Sequence, residues 1–180
     1  EVMKQAVTRN PTEPVYDTEG RTPISGGYYY NDGPFKYYNP VAMQNESTNE
    51  TLDREFSGSV HASLKIIDPL KINALASLVE TNTRNGYYQT QYYPIDFGTN
   101  GRATSTNSLS SSKQFEVNAD FNHSFGDHKI QAIAGYSYYD YWNERYYGMN
   151  YGYDTDIFSF YNMGAGSALS AGKASLTSNK

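Results

Sequence analysis

Between Gln114 and Tyr141 the sequence reads QFEVNADFNHSFGDHKIQAIAGYSYYDY, and its alternation is the strongest constraint on the fold. Phe115, Val117, Ala119, Phe121 and Phe125 hold one parity, while Gln114, Glu116, Asn118, Asp120, Asn122 and Ser124 hold the other. A period of two sends the sets to opposite faces of a strand. Gly126-Asp127-His128 then supplies turn chemistry, because Gly tolerates positive φ and Asp hydrogen-bonds its own backbone. Alternation resumes with Ile130, Ala132, Ala134, Tyr136 and Tyr138, so the two runs predict an antiparallel hairpin. Soluble strands average about five or six residues, whereas crossing a bilayer at a tilt takes about nine to eleven. Both runs reach the longer figure.

A second pair precedes it. Phe56, Gly58, Val60, Ala62, Leu64 and Ile66 alternate with Ser57, Ser59, His61, Ser63 and Lys65. Asp68-Pro69 marks the turn, since Pro fixes φ and cannot donate to a ladder. The return from Ile72 to about Tyr88 alternates less cleanly, because Leu75 and Val79 share the parity of Asn73 and Ser77. A strand is expected there, with a short helix over 72–80 as the alternative. The organisation read from the sequence is therefore a loop over 1–53, a hairpin over 54–93, a loop over 94–112, a hairpin over 113–147 and a loop over 148–180. Residues 1–9 could begin the first loop as a short helix stopped at Asn10-Pro11. From Asn10 to Glu50, Pro11, Pro14, Pro23, Pro34 and Pro40 and four Gly argue against regular structure. Tyr28, Tyr29, Tyr30, Phe35, Tyr37 and Tyr38 in the same stretch argue for order, since disordered segments are poor in aromatics.

Long connections thus alternate with tight turns, placing all the long loops at one end of the strands. Alternation alone fits a soluble β-sandwich with one wet face equally well. Strand length and the one-sided loops favour an outer-membrane barrel, which has short periplasmic turns, long extracellular loops and apolar residues facing lipid. Four strands cannot close a barrel, whose smallest versions have about eight. The expected fold class is all-β: long antiparallel strands forming part of a transmembrane β-barrel with large extracellular loops. The Tyr-rich ends at 87–93 and 136–147 would sit in an interfacial girdle or extracellular rim.

Composition narrows the function. Of 180 residues 38% are hydrophobic, and the mean hydropathy of -0.72 leaves no stretch able to cross a membrane as a helix. The opening EVMKQAV has neither the basic nor the apolar region of a signal peptide, so a mature or internal piece is expected. With no Cys, neither a disulfide framework nor a thiolate metal site is expected. The net charge of -5 provides no basic footprint for nucleic acid.

RNPTEPVYDTEG at 9–20, YYNPVA at 37–42 and DIFSFYNMGAGSAL at 156–169 together resemble the mid-barrel region of SusC/RagA-type TonB-dependent transporters of the Bacteroidetes. The resemblance covers nearly the whole chain, both hairpins included. No TonB box, plug domain or N-terminal carboxypeptidase-regulatory-like domain is recognisable, so it implies an internal piece of such a transporter. Members of the family form a 22-stranded barrel, take up glycan or peptide oligomers and work beneath a SusD-like surface lipoprotein. The implied partners are that lipoprotein, TonB through the N-terminal region missing here, the lipid bilayer of the bacterial outer membrane and an oligosaccharide or peptide substrate. Pro-stiffened loops rich in Tyr suit a lid or a sugar ring. The candidate contacts to substrate or lid are Tyr28, Tyr29, Tyr30, Tyr37, Tyr38, Tyr92, Tyr93 and Trp142. Simple packing of the loop against itself is the competing role for its tyrosines.

Other chemistry is weakly signalled. His61, His123 and His128 lack ligand spacing, and Asp154-Thr155-Asp156 starts like a calcium loop without the Gly and Glu that should follow. Glu116 and Asp120 share a strand face, but nothing fixes the gap a glycosidase needs. GAGSALSAG from Gly164 lacks dinucleotide-loop spacing, and the three glycosylation sequons matter only in a eukaryotic secretory host. No catalytic residues, metal or cofactor are expected, and the chain is not read as an enzyme. The rivals from other classes are a secreted carbohydrate-binding β-sandwich using Tyr and Trp142 as a platform, and a surface adhesin.

Overall fold

A computed structural model describes residues 1–20, 25–31, 37–95, 99–170 and 175–179. Pro23, Gly33, Pro34 and Phe35 of the Pro- and Gly-rich stretch lie outside the described residues. Four long strands, β1 (Ser47–Ile67), β2 (Leu70–Gln89), β3 (Arg102–Phe125) and β4 (His128–Tyr151), pair in chain order, and a short β5 (Ser175–Asn179) adds to β4. Asp68 and Pro69 alone join β1 to β2, and Gly126 and Asp127 alone join β3 to β4. Gly126 sits at φ 60°, in the left-handed region where a side chain would be strained. Both expected hairpins are therefore present, and residues 72–80 are strand rather than helix.

The strands outrun the stretches that alternation marked. β1 begins at Ser47 rather than Arg54, β3 at Arg102 rather than about Lys113, and β4 ends at Tyr151 rather than Tyr147. The reason is physical: periodic apolar residues mark only the part of a strand facing an apolar medium. Ser47–Asp53 and Arg102–Ser112 are Ser-, Thr- and Asn-rich on both faces, and ladder bonds to the neighbouring strand hold them extended without any apolar face. The loops at 1–53, 94–112 and 148–180 are shorter than expected to that extent.

Among its described residues the first loop also holds α1 (Val2–Thr8) and α2 (Pro40–Asn45). The expected helix at 1–9 is there. α2 was not expected, because Pro40 counted against regular structure. At the first helical position Pro loses nothing, and Asn39 before it is a strong N-cap. After β4 the chain makes two 3-10 turns (Asp156–Tyr161 and Met163–Ala165) and one short helix, α3 (Ser167–Ser170).

Contacts divide the described residues into a strand body (within 53–83 and 108–145, with 179) and a loop unit (within 1–52, 84–107 and 146–178). In the strand body the apolar rows are uncovered: Phe56 is 61% exposed, Val60 71% and Leu64 61%, and Phe115 is 43% exposed. In a two-layer sandwich these residues would be the core. The sandwich alternative fails on that observation. The buried residues sit in the loop unit, where Tyr88, Ala103, Tyr153 and Phe160 form one small cluster.

Candidate functional site

The strand body has two chemically different faces, and hydrogen bonds fix which residues share one. Ser63 Oγ donates to Asn73 Oδ1 at 2.6 Å. Asn73 Nδ2 donates to Asn118 Oδ1 at 2.9 Å and Asp120 Oδ2 at 2.6 Å. One polar ladder therefore crosses β1, β2 and β3. His61 and Glu116 line a small hollow with Asn73 and Asn118 on that face. Gly135 of β4 belongs to it too, since a Cβ there would meet the Asn118 side chain at 3.2 Å. Asn73, which weakened the alternation of β2, is the centre of the ladder.

The opposite parity carries Phe56, Val60, Leu64 and Ile66 on β1, Phe115 and Val117 on β3, and Ile130, Tyr136 and Tyr138 on β4. The row from Phe56 to Ile66 covers about 33 Å of strand at about 3.3 Å per residue. At a strand tilt of about 40° that is about 25 Å measured across a bilayer, the height of the apolar band of an outer-membrane barrel.

In the loop unit the motif residues build a clasp. Asn39 is 3% exposed; its Oδ1 accepts from Val41 N at 3.1 Å and Ala42 N at 3.4 Å, capping α2. Its Nδ2 donates to Val15 O at 2.7 Å and reaches Tyr29 O at 3.5 Å. Tyr29 N donates to Val15 O in turn, and Tyr16 bridges to Tyr28. Arg9 pairs with Glu13 at 3.0 Å, donates to Pro14 O at 2.6 Å and lies over the Tyr29 ring. Asn10 accepts from Thr12, and Asn31 Nδ2 donates to Glu13 Oε1 at 2.7 Å. Gln5 of α1 joins the same unit by accepting from Tyr38 N at 3.0 Å. Arg9, Asn10, Glu13 and Asn39 thus explain RNPTEPVYD and YNPVA as one hydrogen-bonded structure.

The tyrosines singled out from the sequence fall at different places. Tyr28 stacks on Tyr16 and accepts from Asn45 Nδ2 at 3.2 Å; burial chiefly raises its pKa. Tyr29 is half-buried under Arg9, and Tyr30 and Tyr38 are half-buried. Tyr92 packs against Gly26, where a Cβ would come within 2.6 Å of its ring, and Tyr93 is buried. Tyr37 presents an exposed ring. Trp142 is half-buried in the strand body, on the face of Phe56 and Glu80. The structure therefore brings Tyr28 and Tyr29 together around the clasp, and Trp142 belongs to the strand body. Among the described residues, no three His, Asp or Glu side chains gather as metal ligands do.

Three features escaped the sequence reading. Tyr88 Oη donates to Asp156 Oδ1 at 2.7 Å. Asn150, 1% exposed, donates to Met163 O at 2.6 Å and Gly166 O at 2.9 Å. Phe160 lies flat on Gly86, where a Cβ would fall 2.3 Å from its ring. An isolated Gly within a strand signals such close approach, so Gly86 was the available clue. At the edge of this unit Tyr161 donates to Glu50 Oε2 at 2.9 Å, which favours its neutral form and raises its pKa.

Long up-and-down strands with one apolar and one polar face define the chain as part of a transmembrane β-barrel larger than itself. The comparisons give the kind of barrel. No protein-family model matches the chain. It is similar to TonB-dependent receptor P3 of Formosa agariphila, with 26% identity over 171 residues, covering 92% of this chain and 16% of that protein. Among solved structures it is similar to the RagAB peptide importer in the closed-closed state, with a TM-score of 0.73 and 18% identity over 84% of this chain and 17% of that one. The RagAB peptide transporter superposes with a TM-score of 0.70 over 91% of this chain and 18% of that one. The chain has the fold of a RagA barrel segment and spans about a sixth of the length of these relatives. The resemblance to SusC/RagA-type TonB-dependent receptors drawn from the motifs is borne out.

Proposed function

We propose that this chain is a wall segment of an energy-coupled transporter in the bacterial outer membrane, importing oligosaccharides or peptides beneath a SusD-like lipoprotein lid. The observation that carries the reading is the polar ladder from Ser63 through Asn73 to Asn118 and Asp120, opposite uncovered apolar rows. A polar face needs water and an apolar face of this height needs hydrocarbon, which only a water-filled barrel in a membrane supplies together. The two-residue turns lie on the periplasmic side and the long connections outside the cell. The relatives support it by name: one is a TonB-dependent receptor and the others are a peptide importer. Coupling to TonB belongs to regions of the full receptor beyond this segment. Exposed Tyr37 and neighbouring Tyr38 are the ring surface that the clasp offers to substrate or lid.

Adjacent residues on opposite faces test the reading in the full receptor. Ala119→Arg places a cation in hydrocarbon and costs about 2–4 kcal/mol near the midplane, reducing insertion. Asp120→Arg leaves insertion intact and changes uptake of labelled oligosaccharide or peptide. Equal effects of both on insertion would contradict the assignment of faces. Replacing Tyr37 and Tyr38 by Ala should weaken uptake or lid affinity; unchanged values for both would remove these tyrosines from the site.

A further inference from the structure

The apolar row on every long strand is interrupted by a charged residue: Arg54 follows Phe56 in its row, Glu80 follows Leu78, Lys113 follows Phe115 and Asp140 follows Tyr138, with Leu52, Leu109 and Trp142 beyond three of these charges. At this level a groove of about 380 Å³ opens on the same face, lined by Arg54, Phe56, Glu80, Asn82, Ser111 and Trp142. The groove is within the size range of small-molecule sites. Trp142 is the sole tryptophan of the sequence. Tryptophan at a membrane interface usually anchors any lipid, but here it shares a groove with one arginine, two glutamates, one asparagine and three hydroxyl residues. That set fits a ring bearing several hydroxyls: the indole takes the C–H face, and the polar groups take the hydroxyls as donors and acceptors. Glu80 argues against a head group that is only phosphate, which it would repel. Phe56 joins the groove to the apolar row of Val60 and Leu64, so an occupant must be polar at one end and apolar at the other.

We propose that this groove seats the saccharide head of an outer-leaflet glycolipid, with an acyl chain lying along Phe56, Val60 and Leu64. The inference rests on the outer-membrane reading above, from which it is separable by experiment. The full receptor is reconstituted into vesicles of phosphatidylethanolamine with or without rough-type lipopolysaccharide, extracted in mild detergent, and weighed by native mass spectrometry for retained lipid. Wild-type receptor should retain the glycolipid, and Trp142→Ala should retain about tenfold less, the factor expected for losing one stacked ring. Retention of phosphatidylethanolamine should not change. Asn82→Leu is the second variant, in case Trp142→Ala does not fold, and should lower glycolipid retention in the same direction. Heat-dependent electrophoretic mobility reports barrel folding independently of either lipid. Equal retention by wild type and both folded variants would overturn the proposal. So would parallel loss of both lipids, which marks a nonspecific anchor, or equal competition by the free core oligosaccharide, which marks a soluble-sugar site.

Discussion

Replacing Asn39 by Ala tests whether the motif segment is held by one side chain. Two contributions are lost. The cap on Val41 N and Ala42 N is worth about 1 kcal/mol, and the 2.7 Å bond to Val15 O is worth about another. The 3.5 Å approach to Tyr29 O adds little. Because the site is buried, the orphaned amides of α2 also lose water, bringing the total to about 2–3 kcal/mol. Hydrogen exchange followed by mass spectrometry on the full receptor reads this locally. Peptides containing Tyr29, Met43 and Glu46, whose amides bond to Val15 O, Asn39 O and Ala42 O, should exchange about 30- to 150-fold faster. Asn39→Ser restores the cap alone and should recover roughly half of the loss in free energy. Unchanged exchange at these amides, or an equal rise along β1 to β4, would refute the reasoning.

Gly86→Ala drives a methyl into the Phe160 ring, 2.3–2.7 Å from three of its carbons. The overpacking should cost about 1–3 kcal/mol and expose 152–170 to limited proteolysis, while Phe160→Ala combined with it relieves the clash. Burial raises the pKa of Tyr153 above its ordinary value of 10.0. The stabilisation it provides is therefore fully present below pH 10 and lost as pH rises through the higher folded value. Proteolysis of 152–170 should accelerate above about pH 10 in wild type, and less so in Tyr153→Phe.

The hairpins were legible because their signal is local. Alternation across 56–66 and 115–138, with Asp68-Pro69 and Gly126-Asp127 between the runs, needs no knowledge of the rest of the fold. Strand ends were not, because Thr104, Thr106 and Ser108 carry no apolar period and are extended only through their partners on neighbouring strands. α2 was hidden by treating Pro40 as a breaker when its position after Asn39 makes it a starter. The polar ladder was half visible: Ser63, Asn118 and Asp120 were assigned to the wet face by parity, but Asn73 looked like a flaw in β2 until cross-strand bonds gave it partners. The clasp and the Gly86–Phe160 contact join residues far apart in sequence, which no periodicity reports.

The most direct test labels Phe115, Glu116, Val117 and Asn118 one at a time with a nitroxide on Cys, in full receptor reconstituted into vesicles. Collision with oxygen, which partitions into lipid, should be high at 115 and 117 and low at 116 and 118; collision with a water-soluble nickel chelate should show the inverse pattern. Two reagents in phase along β3, or labels at 115 and 117 shielded from both, would mean that this sheet does not stand between hydrocarbon and water.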